Sequence, residues 1–232
     1  MRARILTLVS LTTLLLLSGA QSVLAGPTVN GHLGAATSKL SVAQPDQPAP
    51  DFTLADTKGI EHKLSGSLGK VVILEWINFD CPISGGFYTR GEMPEMQANY
   101  LKKGIVWYSI CSSAPGNQGY FTGSTLTDRI KTEKWAGSAY LIDSNGVVGH
   151  RYKAKATPTI AVIDKQGVLR YLGAIDDFQT SHSRAAGKGT NYLVAAVNAI
   201  LAGKPVAVKS APAYGCAVKY KSVAGQPSNV TK

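Results

Sequence analysis

Cys81-Pro82 follows a nearly unbroken apolar run, Val71-Val72-Ile73-Leu74-Glu75-Trp76-Ile77, and precedes a stretch that turns helical. Proline is favoured at the first helical position, which makes Cys81 a candidate N-cap. A thiol placed there meets free amide N–H groups and the positive end of the helix dipole, so its thiolate is stabilised and becomes a nucleophile near neutral pH. Asp80, next to it, adds opposing negative charge. Glu75 lies six residues before Cys81, inside the apolar run. A carboxylate is costly to bury without a purpose, so it is expected either to exchange a proton with the Cys81 thiol or to face solvent at a frayed edge. Arg90 offers positive charge near the thiolate, although a solvated helix arginine is the commoner case. The other thiols are Cys111 and Cys216. Three cysteines allow one pair and one free thiol in three pairings, a count that suits redox chemistry better than a structural staple set.

The segments around these residues must position them. Asp51–Leu54 and Ile60–Leu64, joined through Lys58-Gly59, read as a small hairpin. Val71–Ile77 reads as a strand buried on both faces of a parallel sheet. Gly85, Gly86 and Gly91 weaken the helix after Cys81, and a firm helix is expected from Met93 to Lys103, closed by Gly104. Ile105–Cys111 is a second buried strand, Leu126–Trp135 a helix and Ala139–Asp143 a third strand, after which Asn145-Gly146 turns into a short helical segment. Thr159–Asp164 and Val168–Leu172 form a hairpin across Lys165-Gln166-Gly167. Asn191–Leu201 repeats apolar residues at helical spacing and stops at Gly203 and Pro205. Alternating strands and helices imply an α/β sheet covered on both faces, with sites at the carboxyl ends of its strands. Cys81 and Cys111 both fall at such ends.

The chain has 232 residues and a net charge of +10, with its basic residues scattered and no nucleic-acid module in view, so no nucleic-acid partner is expected. Residues 1–25 carry Arg2 and Arg4, an apolar run and a Val23-Leu24-Ala25 end, the three-part pattern of a signal peptide. Export to the periplasm or outside the cell is therefore expected, with no integral membrane segment after cleavage. A flexible lead-in is expected over 26–48, one domain over 49–205, and a C-terminal tail carrying Cys216 over 206–232. His150 and His182 are dispersed and no C-x-x-x-C motif is present, so neither metal nor other cofactor is expected.

The run Glu75-Trp76-Ile77-Asn78-Phe79-Asp80-Cys81-Pro82, followed by Ser112-Ser113-Ala114-Pro115-Gly116, resembles the redoxins of the alkyl hydroperoxide reductase/thiol-specific antioxidant superfamily. Gly173–Asp177, Gly203–Val206 and Tyr214–Tyr220 resemble later segments of that family. The resemblance implies a thioredoxin-like fold: a central mixed sheet flanked by helices on both faces, here with an N-terminal hairpin extension. It implies a redox-active Cys81, a cis-proline at Pro158 after Thr157 opposite it, and a thiol or disulfide partner, protein or small molecule. Thioredoxins place a second cysteine three residues after the first, where this chain has Ser84. Peroxiredoxins place proline and threonine before their cysteine where this chain has Leu74 and Asn78. The expected activity is therefore thiol–disulfide exchange through Cys81, assisted by Glu75. Cys216 is the favoured resolving thiol and Cys111 its competitor. A thiol peroxidase, and a non-catalytic domain with Cys81 and Cys216 locked together, are the alternatives.

Overall fold

A computed structural model describes residues 41–178 and 189–222. The signal-like segment, the lead-in up to residue 40, His182 and the last ten residues lie outside the described residues.

Apolar, β-branched sequence builds the centre. Val72–Trp76 (β3) is buried along its whole length, as a strand covered on both faces must be. It pairs in parallel with Val106–Cys111 (β4), which pairs in parallel with Ala139–Ile142 (β5). On its other side β3 meets Thr159–Ile163 (β7) antiparallel, and β7 turns back into Leu169–Gly173 (β8). Asp164 closes that turn by accepting the N–H groups of Gln166 and Val168, both at 2.9 Å. Ser210–Ala211 (β9) extends the sheet beyond β8, giving the order β5-β4-β3-β7-β8-β9. This is the expected mixed sheet of a thioredoxin-like fold.

One face is covered by Ser84–Thr89 (α1), Glu92–Lys102 (α2), Gly123–Thr132 (α3) and Tyr192–Leu201 (α5), which bury Phe87, Met93, Leu126, Leu193 and Val197. Asn191 caps α5 by accepting the Val194 N–H at 2.9 Å. The other face is covered by Val147–Arg151 (α4), through Val148, and by Phe52 and Leu64 from the expected N-terminal hairpin, Thr53–Ala55 (β1) against Glu61–Lys63 (β2). Among the described residues, no helix is long and apolar enough to cross a membrane.

Two expectations about the ends of the domain are corrected. The lead-in is not loose over residues 41–48: Ala43 is buried with its N–H on the Arg151 carbonyl, and the Asp46 N–H meets the Leu169 carbonyl at 2.7 Å. Asp46 also binds Arg170 at 3.0 Å and the Lys209 ammonium, so paired charge and a free strand edge hold this segment down. The tail is built into the fold as well, over its described residues 206–222. It supplies β9, and Cys216–Ala217 (β10) pairs antiparallel with Ala156–Thr157 (β6).

Candidate active site

Strand β3 delivers the chain to Cys81 at the carboxyl end of the sheet, and helical hydrogen bonding starts there. The Cys81 carbonyl accepts the Gly85 N–H at 2.7 Å, and its Sγ accepts the Ser84 N–H at 3.4 Å. Ile83 is the cap residue of α1, and Cys81 sits in the turn before it, accepting N–H groups through both its carbonyl and its sulfur. Asn78 shapes the approach: its backbone N–H lies 3.3 Å from the Ser84 hydroxyl, and its Oδ1 accepts the Asp80 N–H at 2.9 Å. The oxygen of the amide that replaces the peroxiredoxin threonine is therefore committed to the loop itself, while its buried Nδ2 has no hydrogen-bond partner among the described residues. The negative charge of Asp80 is offset by Arg129 at 3.3 Å. Arg90 turns to Glu92 at 2.5 Å and lies over the Phe87 ring, so Glu92 and Phe87 are its immediate neighbours.

The tail closes the other side of the sulfur. In β10 the Cys216 N–H donates to Cys81 Sγ at 3.3 Å, and Cys216 stands opposite Thr157 in the ladder. The Thr157 carbonyl lies 3.5 Å from Cys81 Sγ, where it accepts the thiol hydrogen, and the Thr157–Pro158 peptide is cis, as the resemblance implied. Cys81, Thr157, Pro158 and Cys216 are thus assembled in one place from three separate stretches of chain. All three cysteines are free thiols.

Electrostatics distinguishes them. Burial pushes the Cys81 thiol up, but hydrogen bonds from the Cys216 thiol, the Ser84 N–H, the Thr157 side chain and the Cys216 N–H outweigh it and hold Cys81 below the ordinary thiol range. Cys216 moves the other way, pushed up to about 11 by burial and by the adjacent Cys81 sulfur. The two sulfurs form a unit whose first proton is lost more readily from Cys81 than from Cys216. Cys111, fully buried, donates its S–H to the Gly119 carbonyl at 3.3 Å, and burial raises its pKa. Of the two competitors for Cys81, the structure brings Cys216 to it.

Glu75 is fully buried, which removes the solvent-facing expectation. Its Oε2 receives the Ser109 hydroxyl at 2.8 Å, the Trp107 indole N–H at 2.9 Å and the Gln97 amide at 3.2 Å, and Tyr88 donates to the carboxyl at 2.8 Å. Trp135 adds a further layer by donating to Ser109 Oγ at 2.9 Å. Burial raises this carboxyl above its usual range and those donors pull it back. Its hydrogen-bond partners lie on α1, α2 and β4, and none of them is Cys81. The carboxylate therefore ties Tyr88 of α1, the helix whose first N–H faces the nucleophile, to the two central strands.

Sequence reasoning missed the residues that seat the tail. The Tyr220 hydroxyl donates to the Ala154 carbonyl at 2.6 Å, and its ring stacks on His150 with centroids 3.9 Å apart. The ring rests on α4 where Gly149 lacks a side chain; a Cβ there would run into the Tyr220 hydroxyl and Ser112 Oγ. Tyr214 donates to Asp176 at the other end of the segment. Two tyrosines flanking Gly215-Cys216 were the available signal.

Comparison with known proteins identifies the family and the fold. The profile of the AhpC/TSA family matches residues 45–172. Thiol-disulfide oxidoreductase ResA of Geobacillus kaustophilus is 30% identical over 144 residues, 59% of this chain and 72% of the relative. Two solved structures share the fold. A hypothetical protein from Sinorhizobium meliloti has a TM-score of 0.68 at 24% identity, covering 79% of this chain and 98% of that one. An uncharacterized conserved protein from Geobacillus kaustophilus has a TM-score of 0.67 at 22% identity, covering 81% and 96%.

Proposed function

This chain belongs to the AhpC/TSA family, and from that premise we propose that it is a thiol–disulfide oxidoreductase with Cys81 as nucleophile and Cys216 as resolving thiol. The observation that carries the reading is the meeting of the two cysteines, with the Cys216 N–H on a sulfur whose thiolate is favoured. Cys81 thiolate attacks one sulfur of a partner disulfide and the other leaves as a thiolate, forming a mixed disulfide. Cys216 then loses its proton and attacks Cys81 Sγ, releasing the second partner thiolate and leaving a Cys81–Cys216 disulfide. The partner gains two electrons and this chain loses them; the reverse sequence oxidises a partner dithiol. Once bonded to another sulfur, Cys81 no longer holds the charge that raises Cys216, so the resolving thiol ionises more readily at that stage.

Thr157 and Pro158 form the wall opposite the nucleophile, against which the partner is positioned. Glu75 acts from behind, holding α1 through Tyr88, in place of the direct proton exchange that its spacing suggested. The family resemblance and the related oxidoreductase support a thiol or disulfide partner. The N-terminal sequence pattern supports action in the periplasm or outside the cell.

The decisive experiment mixes the fully reduced chain with a small disulfide and, separately, with hydrogen peroxide at matched concentration, following loss of the Cys81 thiol by stopped flow. Rapid exchange with the disulfide and slow loss to peroxide are expected, with a mixed disulfide accumulating in Cys216→Ser. Rapid, saturable loss to peroxide would replace this reading with a peroxidase. Slow reaction with both would leave a structural domain.

A further inference from the structure

The segment from Tyr214 to Tyr220 does more than bring a cysteine to the site. It forms the β10–β6 ladder, with Cys216 opposite Thr157 and Ala217 opposite Ala156, and the Val218 N–H on the Lys155 carbonyl at 3.0 Å continues it. In the two-stranded β6–β10 sheet, the hydrogen-bonding edge of β6 is thus fully engaged by the chain's own tail. An extended polypeptide that presents a disulfide to Cys81 by strand addition would need the same backbone groups.

The segment is held at both ends and pressed close in the middle. Tyr214 is fixed to Asp176; Tyr220 is fixed to Ala154 and stacked on His150. The Ala114 N–H at 2.8 Å and Asn117 Nδ2 at 3.1 Å both donate to the Lys219 carbonyl. Between these ties, Gly215 passes the Thr157 carbonyl so closely, at φ +116, that a side chain there would collide with it.

Cys81, only 1% exposed, also borders a groove that residues 214–220 do not line. This groove of about 270 Å³ runs between Phe79–Pro82 and α1, lined by Gly85, Gly86, Thr89 and Arg90 as well as Cys81. It is below the size of an ordinary drug-sized ligand pocket, and it offers no strand edge.

We propose that residues 214–220 form a strap that competes with extended polypeptides for the β6 edge, closing Cys81 to them while small disulfides still enter by the α1 groove. This inference rests on the oxidoreductase reading for its biological meaning, but the gate is a matter of access and is tested separately. Polypeptide exchange scales with the fraction of molecules whose strap is open, so loosening a latch raises it. Small-molecule exchange proceeds from the closed strap, where Cys216 still supports the Cys81 thiolate, so it changes little while the open fraction stays small.

The test uses the full chain carrying Cys111→Ser and two activated probes, the thionitrobenzoate mixed disulfides of free cysteine and of a short extended peptide. Cys81 thiolate attacks the cysteine sulfur and thionitrobenzoate leaves as its coloured thiolate, so any reactive Cys81 reports whatever its natural partner. Tyr220→Ala removes the hydrogen bond and the ring stack and leaves both cysteines in place. The peptide rate is expected to rise about tenfold, as for an opening equilibrium that loses one hydrogen bond and one ring contact, with the free-cysteine rate changed by less than about twofold. Tyr220→Phe, which keeps the stack, should give an intermediate rise. An unchanged or lowered peptide rate, or an equal rise for both probes, overturns the gate. Failure of the oxidoreductase reading looks different: both probes react, yet unactivated disulfides do not.

Discussion

Cys81 and Cys111 come from neighbouring parallel strands and are both shut away from solvent, at 1% and 0% exposure, and each sulfur faces a carbonyl, yet the balance of donors around them differs. Backbone N–H groups of Ser84 and Cys216 point at Cys81. Cys111 instead gives its hydrogen to the Gly119 carbonyl, and Asp143 adds negative charge nearby. Donors favour a thiolate, whereas an acceptor and a carboxylate favour the thiol. Burial, which raises both, does not decide between them. Where the strands end put both cysteines on the list of candidates; what each sulfur faces separates nucleophile from packing residue.

The comparison breaks first if the wrong cysteine proves necessary. Cys81→Ser should lower disulfide exchange by about a thousandfold or more, because no second thiol occupies that position. Cys111→Ser should leave exchange within about twofold. A large loss in Cys111→Ser, in a variant that remains folded by circular dichroism, would give Cys111 a role that its contacts do not show.

Glu75 tests the scaffold that holds both strand ends. Glu75→Ala leaves the Trp107, Ser109, Gln97 and Tyr88 donors without their shared acceptor and should cost about 3–5 kcal/mol in denaturant unfolding. Glu75→Gln should cost about 1 kcal/mol or less, since an amide oxygen can replace crowded Oε2 while its NH₂ faces Tyr88 alone. The raised carboxyl sets the sign of the pH effect. Its contribution to stability is full below the unfolded value near 4.3 and is lost as pH rises through the folded value, a loss that Glu75→Gln should not show. Normal exchange in Glu75→Gln supports positioning through Tyr88; abolished exchange in the folded variant would restore the proton-exchange role.

A gentler test concerns charge at Cys81. Its lowered pKa predicts alkylation by iodoacetamide with a pH midpoint below that of a free thiol, about 8.5. The Cys216 thiol is the largest of the groups holding the value down, so Cys216→Ser should move the midpoint upward and slow labelling several-fold at neutral pH. A midpoint that stays in place would assign the stabilisation to backbone N–H groups alone.

Much of this was legible in the sequence, and the remainder was hidden for identifiable reasons. Continuous apolar runs announced β3, β4 and β7, and the Cys81-Pro82 step marked where a helix begins. Glu75 was conspicuous because it interrupts such a run, but its donors come from residues 13 to 34 positions away, and no local pattern reports a partner at that distance. The tail was set apart from the domain after residue 205 because no helical or strand period continues into it. Its order comes from docking two residues on β6 and two tyrosine rings on preformed surfaces, which is a tertiary effect. The helix expected at Leu126 begins at Gly123, since Thr122 in extended conformation sets its start without a strong capping signature.

The smallest effect sharpens the comparison from the inert side. Cys111→Ala removes a buried sulfur and its bond to Gly119, and at neutral pH it should cost about 1 kcal/mol, the scale of a small cavity in a packed core. Burial raises the Cys111 pKa in the folded chain, so its contribution is full below the unfolded value of about 8.5 and is lost as pH rises through the folded one. Alanine does not ionise, so the gap between variant and wild type should narrow in denaturant titrations above about pH 8.5. Cys81 predicts the opposite slope, because its lowered pKa adds stability as pH rises from its folded value to its unfolded one. If the Cys111→Ala gap instead widens with pH, Cys111 is a stabilised thiolate, and the two strand ends are chemically alike.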